Sequence, residues 1–237
     1  ALWQWDKLGK EILNGATAIL PICKYLEKIT NKFVPDKSTN VFFEGVDASK
    51  WYQVKGMNLK HPCVGLLQRA SWWGKTSEML ILKKVLEKMP DVNFYWAGDG
   101  PLRERVLSEL DKYDNFHWLG NLQYPDKVRE YLSEIDVYAL ITGMDLAPLT
   151  LKEAQLMKKP VVVTNVGGNQ EMMIDGKTGF LVEKGNDTQL IEKLRLLFED
   201  VDMAKKMGNE GRKFIERTFN WKLVTKNFIE MIKPYLK

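Results

Sequence analysis

Short apolar runs of strand length alternate along most of the chain with segments whose apolar residues recur at helical spacing. The strand-like runs cover residues 16–21, 40–43, 63–67, 92–97, 116–119, 137–141, 161–164 and 179–182. Most are apolar throughout, as parallel strands buried on both faces should be. Between them, Leu82, Val85, Leu86 and Met89 form one helical stripe, and Val128, Tyr131, Leu132 and Ile135 a second. Leu190, Ile191, Leu194, Leu197 and Phe198 form a third. Strand, covering helix, next strand is the repeating unit of a parallel α/β sheet, so the pattern predicts an α/β fold. Residues 47–60 are polar and aperiodic and read as a linker. Helical patterns follow at 204–215 and 221–235, the second with Trp221, Val224, Phe228, Met231, Ile232 and Tyr235 on one face. This last helix is amphipathic and basic. Its continuous aromatic-rich stripe points to docking on the protein body, and a peripheral membrane contact stays open.

With 237 residues, 45% of them hydrophobic, the chain can bury one full α/β domain and part of another, but not two large ones. Its 35 basic and 31 acidic residues are interspersed, giving a net charge of +4 without the basic block expected of a nucleic-acid binder. A mildly basic surface suits a phosphorylated ligand or an acidic membrane face. Cys23 and Cys63 lie outside any C-x-x-C spacing, with no zinc-knuckle arrangement of histidines, and read as free thiols in a reducing compartment. No apolar run reaches 18 residues and no signal pattern opens the chain, so a cytoplasmic setting is expected, with the cytoplasmic face of a membrane as its variant. The chain opens at Ala1 in helix-like sequence and reads as a fragment.

Candidate chemistry sits where strands end. Arg69 and Lys75 follow the run at 63–67 and precede a helix, a place where two cations invite a phosphate. Gly98, in Ala97-Gly98-Asp99-Gly100-Pro101, allows a tight turn and close ligand approach, with Pro101 read as the first helical residue. After the run at 137–141 come Asp145 and, eight positions on, Glu153. The amides of Leu149, Thr150 and Leu151 would open the helix between them and receive a phosphate, while Glu153 would accept ribose hydroxyls. Trp72 and Trp73 could stack on an acceptor or face another domain. His61 and His117 read as structural. The triplet Asp200-Val201-Asp202 matches a metal-binding D-x-D but lies between helical patterns, and no metal is assigned to it.

The stretch Asp145 to Glu153, then Pro160-Val161-Val162-Val163-Thr164, Gly167-Gly168, Glu171 and Asp175-Gly176-Lys177-Thr178-Gly179, resembles the signature of family-four retaining glycosyltransferases (group 1). The resemblance runs over about residues 15–235 and is densest over 65–182. It implies the C-terminal half of a GT-B fold: a Rossmann-like parallel sheet with helices on both faces, plus a short remnant of the N-terminal domain. It divides the chain into 1–56, the tail of an acceptor domain with its linker; 57–220, the nucleotide-sugar-binding domain; and 221–237, a helix packing back towards the N-terminal part. It implies transfer of a sugar from a nucleoside diphosphate sugar, UDP or GDP type, with retention and without metal or other cofactor. The acceptor would be a glycan, lipid or protein, met largely by an N-terminal domain of which most is missing here. Arg69 and Lys75 would face the diphosphate, Asp145 the transferred sugar, Glu153 the ribose, and Gly120 would close the base-side strand. Asp145 stands where the family usually has Glu, and Glu44 where it has Asn. Two other functions stay open: a glycosyltransferase-like nucleotide-binding module with little activity alone, and a nucleotide-sugar epimerase of the same fold.

Overall fold

The structure is a computed structural model and describes residues 7–236. Ala1 to Asp6 and Lys237, which fall in the predicted first and last segments, lie outside the described residues. In chain order the elements are α1 (Lys7–Gly15), α2 (Lys24–Phe33), β1 (Cys63–Leu67), α3 (Trp73–Thr76), α4 (Leu82–Lys88), β2 (Asn93–Ala97), α5 (Arg103–Leu110) and β3 (Phe116–Gly120). They continue with α6 (Asp126–Glu134), β4 (Val137–Leu140), α7 (Leu149–Leu156), β5 (Val161–Thr164), β6 (Gly179–Val182), α8 (Asp187–Glu199), α9 (Val201–Thr218) and α10 (Trp221–Ile232).

The six strands form one parallel sheet in the order β3-β2-β1-β4-β5-β6, the doubly wound Rossmann-like arrangement. Each lies within one residue of its expected bounds. Alternation along each strand sends side chains to two separate cores. Val64, Leu66, Phe94, Trp96 and Val162 pack with residues of α4, α5 and α8. Cys63, Tyr95, Tyr138, Val161 and Val163 pack on the other face with residues of α6, α7 and α9. Burial on both faces is the reason the strands are apolar at nearly every position. Each fully buried Val or Leu contributes roughly 1.5–3 kcal/mol.

The expected strands at 16–21 and 40–43 do not form. These segments run side by side through one bridge, Ile19 with Thr39, and two ladder bonds, Asn40 N–H to Ile19 O at 3.2 Å and Phe42 N–H to Pro21 O at 2.8 Å. Pro21 has no N–H to return, so the ladder cannot extend. Pro101 also falls outside its helix, which starts at Arg103 with Leu102 as the N-cap; the Leu102 N–H donates to Ala70 O at 3.1 Å.

Residues 47–60 are strapped to the sheet domain. Asp47 caps a 3-10 turn at Ala48–Lys50, Trp51 is 1% exposed, and Arg212 donates to Trp51 O at 2.9 Å. On α10 only Val224 is buried; Phe228 meets Phe42 with ring centroids 5.2 Å apart, while Trp221, Leu223 and Ile229 stay exposed. Among the described residues no helix is long and apolar enough to cross a membrane.

Candidate functional site

From β1 the chain winds outward to β2 and β3, then returns to lay β4 on the other side of β1. The loops leaving β1 and β4 therefore part in opposite directions at the carboxyl edge, and a crevice opens between them. A cleft of about 580 Å³ lies there, with Gln68, Arg69, Gly98, Asp99, Asn121 and Thr150 in its walls. Backbone bonds lace its loops together: Gly98 N–H to Gly120 O at 2.8 Å, and Ala70 N–H to Asp99 O at 3.1 Å. Gly98 has φ of +154°, and a Cβ there would collide with Gln68 O, so only glycine lets these loops meet. Gly120 supports this wall through its carbonyl, and its neighbour Asn121 lines the cleft.

Arg69 is exposed on the cleft wall, and among the described residues no carboxylate pairs with it. Lys75 and Asp145 have found each other instead, Nζ to Oδ2 at 2.6 Å, both largely shielded from solvent. The other Asp145 oxygen accepts the Leu146 N–H at 3.0 Å, fixing the carboxylate. Gly143 N–H binds Lys75 O at 2.9 Å, so the loops after β1 and β4 are tied by backbone as well as by charge. The Asp145 loop rests on Gly167 and Gly168. Gly168 N–H donates to Asp145 O at 3.0 Å, and a Cβ on Gly167, at φ +57°, would collide with that same oxygen. The paired glycines of the motif are thus the surface that carries its first acid.

Helix α7 begins after Pro148, whose side chain supplies no cap. The N–H groups of Leu149, Thr150 and Leu151 fall in its first turn, where no intrahelical acceptor exists, and the helix dipole adds positive potential. Thr150 reaches the cleft wall, its Oγ1 accepting the Tyr138 hydroxyl at 2.8 Å. The Leu149 side chain is partly exposed, whereas the buried Leu151 side chain anchors the turn. One turn on, Glu153 is 4% exposed, and burial pushes its carboxyl up to about 7 against the opposing pull of the Tyr124 hydroxyl. Its neighbour Lys152 is fully buried, its Nζ donating to Glu44 O at 2.7 Å, and burial draws its pKa down to about 8. Lys152 anchors the segment before the linker to α7 through the backbone of Glu44.

The sequence reading missed three polar side chains of the cleft wall. Gln68 donates from Nε2 to Ile141 O at 2.8 Å and so bridges β1 to the end of β4; Asp99 and Asn121 share the wall with it. All three directly follow strands or their glycine turns, which is the signal that could have marked them. Elsewhere, Asp200 caps α9 by accepting the Met203 N–H at 2.8 Å, which explains the D-x-D triplet as a helix start. Trp73 carries Arg105 over its ring at 3.5 Å, and Trp72 is 46% exposed. His117 stacks on Tyr95 and meets Asn93 Oδ1 at 3.1 Å. His61 lies far from the cleft, at the amino ends of β1 and β4.

Comparison with known proteins identifies the family and the fold. The family model described as glycosyl transferases group 1 matches residues 50–214. An uncharacterised glycosyltransferase of Methanocaldococcus jannaschii is 30% identical over 216 residues, 90% of this chain and 58% of that protein. A trehalose synthase of Thermococcus litoralis is 32% identical over 166 residues, 66% of this chain and 39% of that enzyme. The chain thus spans about half the length of the curated relatives it matches. Among solved structures, sucrose-phosphate synthase from Thermosynechococcus elongatus superposes with a TM-score of 0.83 at 19% identity, covering 96% of this chain and 60% of that one. HepE of Anabaena, in complex with UDP-glucose, gives 0.80 at 18% identity over 96% of this chain and 67% of that one. Both share the fold.

Proposed function

Because the chain belongs to the glycosyl transferases group 1, we propose that its carboxyl-edge cleft holds a nucleoside diphosphate sugar and serves transfer of the sugar to a glycan, lipid or protein acceptor, with retention at the anomeric carbon. The observation that carries this reading is the meeting of Arg69 and the uncapped first turn of α7 on one cleft, with Lys75 on the adjoining loop. Three sources of positive potential there match a departing diphosphate, on which charge develops during transfer. Arg69, Lys75 and the amides of Leu149, Thr150 and Leu151 stabilise that charge. Asp145, held against Lys75, contacts the transferred sugar, and Glu153 in its ionised form accepts the ribose hydroxyls. On this scheme protein groups meet the phosphates, and no metal is assigned to the cleft. HepE of Anabaena forms its complex with UDP-glucose, which makes UDP the first nucleotide to test here, with GDP beside it.

The division into 1–56, 57–220 and 221–237 is part of this proposal, with the first segment on the acceptor side. So is a cytoplasmic setting, which the two free thiols support. Arg69→Ala is expected to weaken UDP or GDP binding about tenfold or more, the worth of a hydrogen bond to a charged group. The loss should shrink as salt is raised, because Arg69 is exposed to screening. Calorimetric titration at two ionic strengths checks this, and equal affinities for the variant and wild type would place the phosphates elsewhere.

A further inference from the structure

At the end of the sheet opposite the cleft, His61 and Cys63 lead into and begin β1, and Asp136 immediately precedes β4, which pairs with β1. Their donor atoms converge: His61 Nδ1 is 2.8 Å from Asp136 Oδ2 and 3.7 Å from Cys63 Sγ, and all three atoms lie within 4.8 Å of one another. We propose that His61, Cys63 and Asp136 bind a divalent transition-metal ion of the zinc type, one per chain, joining the amino ends of β1 and β4.

The donor set is one imidazole nitrogen, one sulfur and one carboxylate oxygen, all ligands that zinc accepts. Ordinary zinc–sulfur and zinc–nitrogen bond lengths around a tetrahedral ion place S and N about 3.6 Å apart, close to the separation found here. The corresponding N–O separation is about 3.4 Å, so the His61–Asp136 pair must open by about 0.6 Å as two metal bonds replace one hydrogen bond.

The surroundings also fit. A metal-bound histidine commonly donates its other ring N–H to a carboxylate, and Glu134 Oε1 lies 3.1 Å from His61 Nε2. Asp136 Oδ2 is oriented by the Cys63 N–H at 2.8 Å. Lys159, half-buried and bound to Ser133 O at 3.0 Å, stands close enough to interact with Asp136, Cys63 and Glu134. With Cys63 as thiolate, its proton released to solvent, the charges of two carboxylates and one thiolate balance those of Lys159 and the ion. An adjoining cavity of about 640 Å³, with His61, Asp136 and Lys159 in its walls, gives the ion a path from solvent. The fourth position is left to water. Standing across the sheet from the cleft, the ion would brace two strands and take no part in transfer.

The test is titration of chelator-treated full chain with Zn²⁺, and with Co²⁺ followed by absorption, for wild type, His61→Ala and Cys63→Ser. The proposal expects one ion per wild-type chain and a sulfur-to-cobalt charge-transfer band that disappears in Cys63→Ser. With free zinc a hundredfold above Kd, the melting temperature should rise by about 5–10 °C in wild type and stay unchanged in both variants. His61 is exposed, so His61→Ala keeps the test valid if the Cys63 variant fails to fold. Absence of stoichiometric uptake by wild type, or uptake undiminished in His61→Ala, would overturn the site.

Discussion

Lys75→Ala weakens nucleoside diphosphate binding by roughly 10- to 100-fold, while Asp145→Ala leaves that binding intact and lowers sugar transfer by roughly 10²–10³-fold. The first magnitude is that of a charge-assisted hydrogen bond, about 1.5–3 kcal/mol, and the second that of removing one group aimed at the reacting centre. The opposite behaviour of the two variants follows from their 2.6 Å ion pair. In Lys75→Ala a cation disappears and the shielded Asp145 carboxylate is left facing the phosphates, so repulsion adds to the lost attraction. In Asp145→Ala the Lys75 ammonium loses its internal partner and turns wholly to the diphosphate, so nucleotide affinity is kept or rises. Titration with UDP and GDP, beside a donor-turnover assay, separates the two effects. Parallel losses of binding in both variants would mean that the pair only holds the loops together.

Glu153→Gln makes the protein more stable at pH 8 and a poorer nucleotide binder. In the folded chain burial raises the carboxyl from 4.5 to about 7, so the native state holds a proton that the unfolded chain releases near pH 4.5. Stability therefore falls as pH rises between those values, and above pH 7 the ionised, buried Glu153 costs about 3 kcal/mol. The neutral amide escapes that cost while keeping an oxygen for the Tyr124 hydroxyl. Its melting temperature should exceed that of wild type by several degrees at pH 8 and differ little at pH 5, by scanning calorimetry. Binding moves the other way, because the ribose hydroxyls need the ionised carboxylate. Wild-type affinity is thus expected to climb between pH 6 and 8, and the variant's to stay low and flat. A variant no more stable than wild type at pH 8 would contradict the assigned protonation. This is the familiar exchange of stability for a strained functional group.

The sheet was legible because its strands are buried on both faces, so 63–67 and 161–163 carry no polar side chain and need no knowledge of their partners. The segments at 16–21 and 40–43 look similar in isolation, but a strand is defined by its neighbours, and Pro21 gives its neighbour only half a ladder. Arg69, Gly98 and Thr150 were readable as cleft residues because the carboxyl edge of a parallel sheet is a predictable place. The pairing of Lys75 with Asp145 was not. Those residues are 70 positions apart and meet only because β4 lies beside β1, an order that local patterns do not encode. The same holds for Cys63 and Asp136, 73 positions apart, and for the buried Lys152 and the Glu44 carbonyl it binds, 108 positions apart.

The central claim is tested most directly by calorimetric titration of this chain with UDP, GDP and ADP and their sugar conjugates, in EDTA and again in Mg²⁺, for wild type and Glu153→Ala. Saturable binding of one nucleoside diphosphate by wild type, one per chain and indifferent to EDTA, with affinity at least tenfold weaker in Glu153→Ala, is the predicted result. Failure of wild type to bind any of them, or equal binding by the variant, would contradict the assignment of the cleft as a donor site.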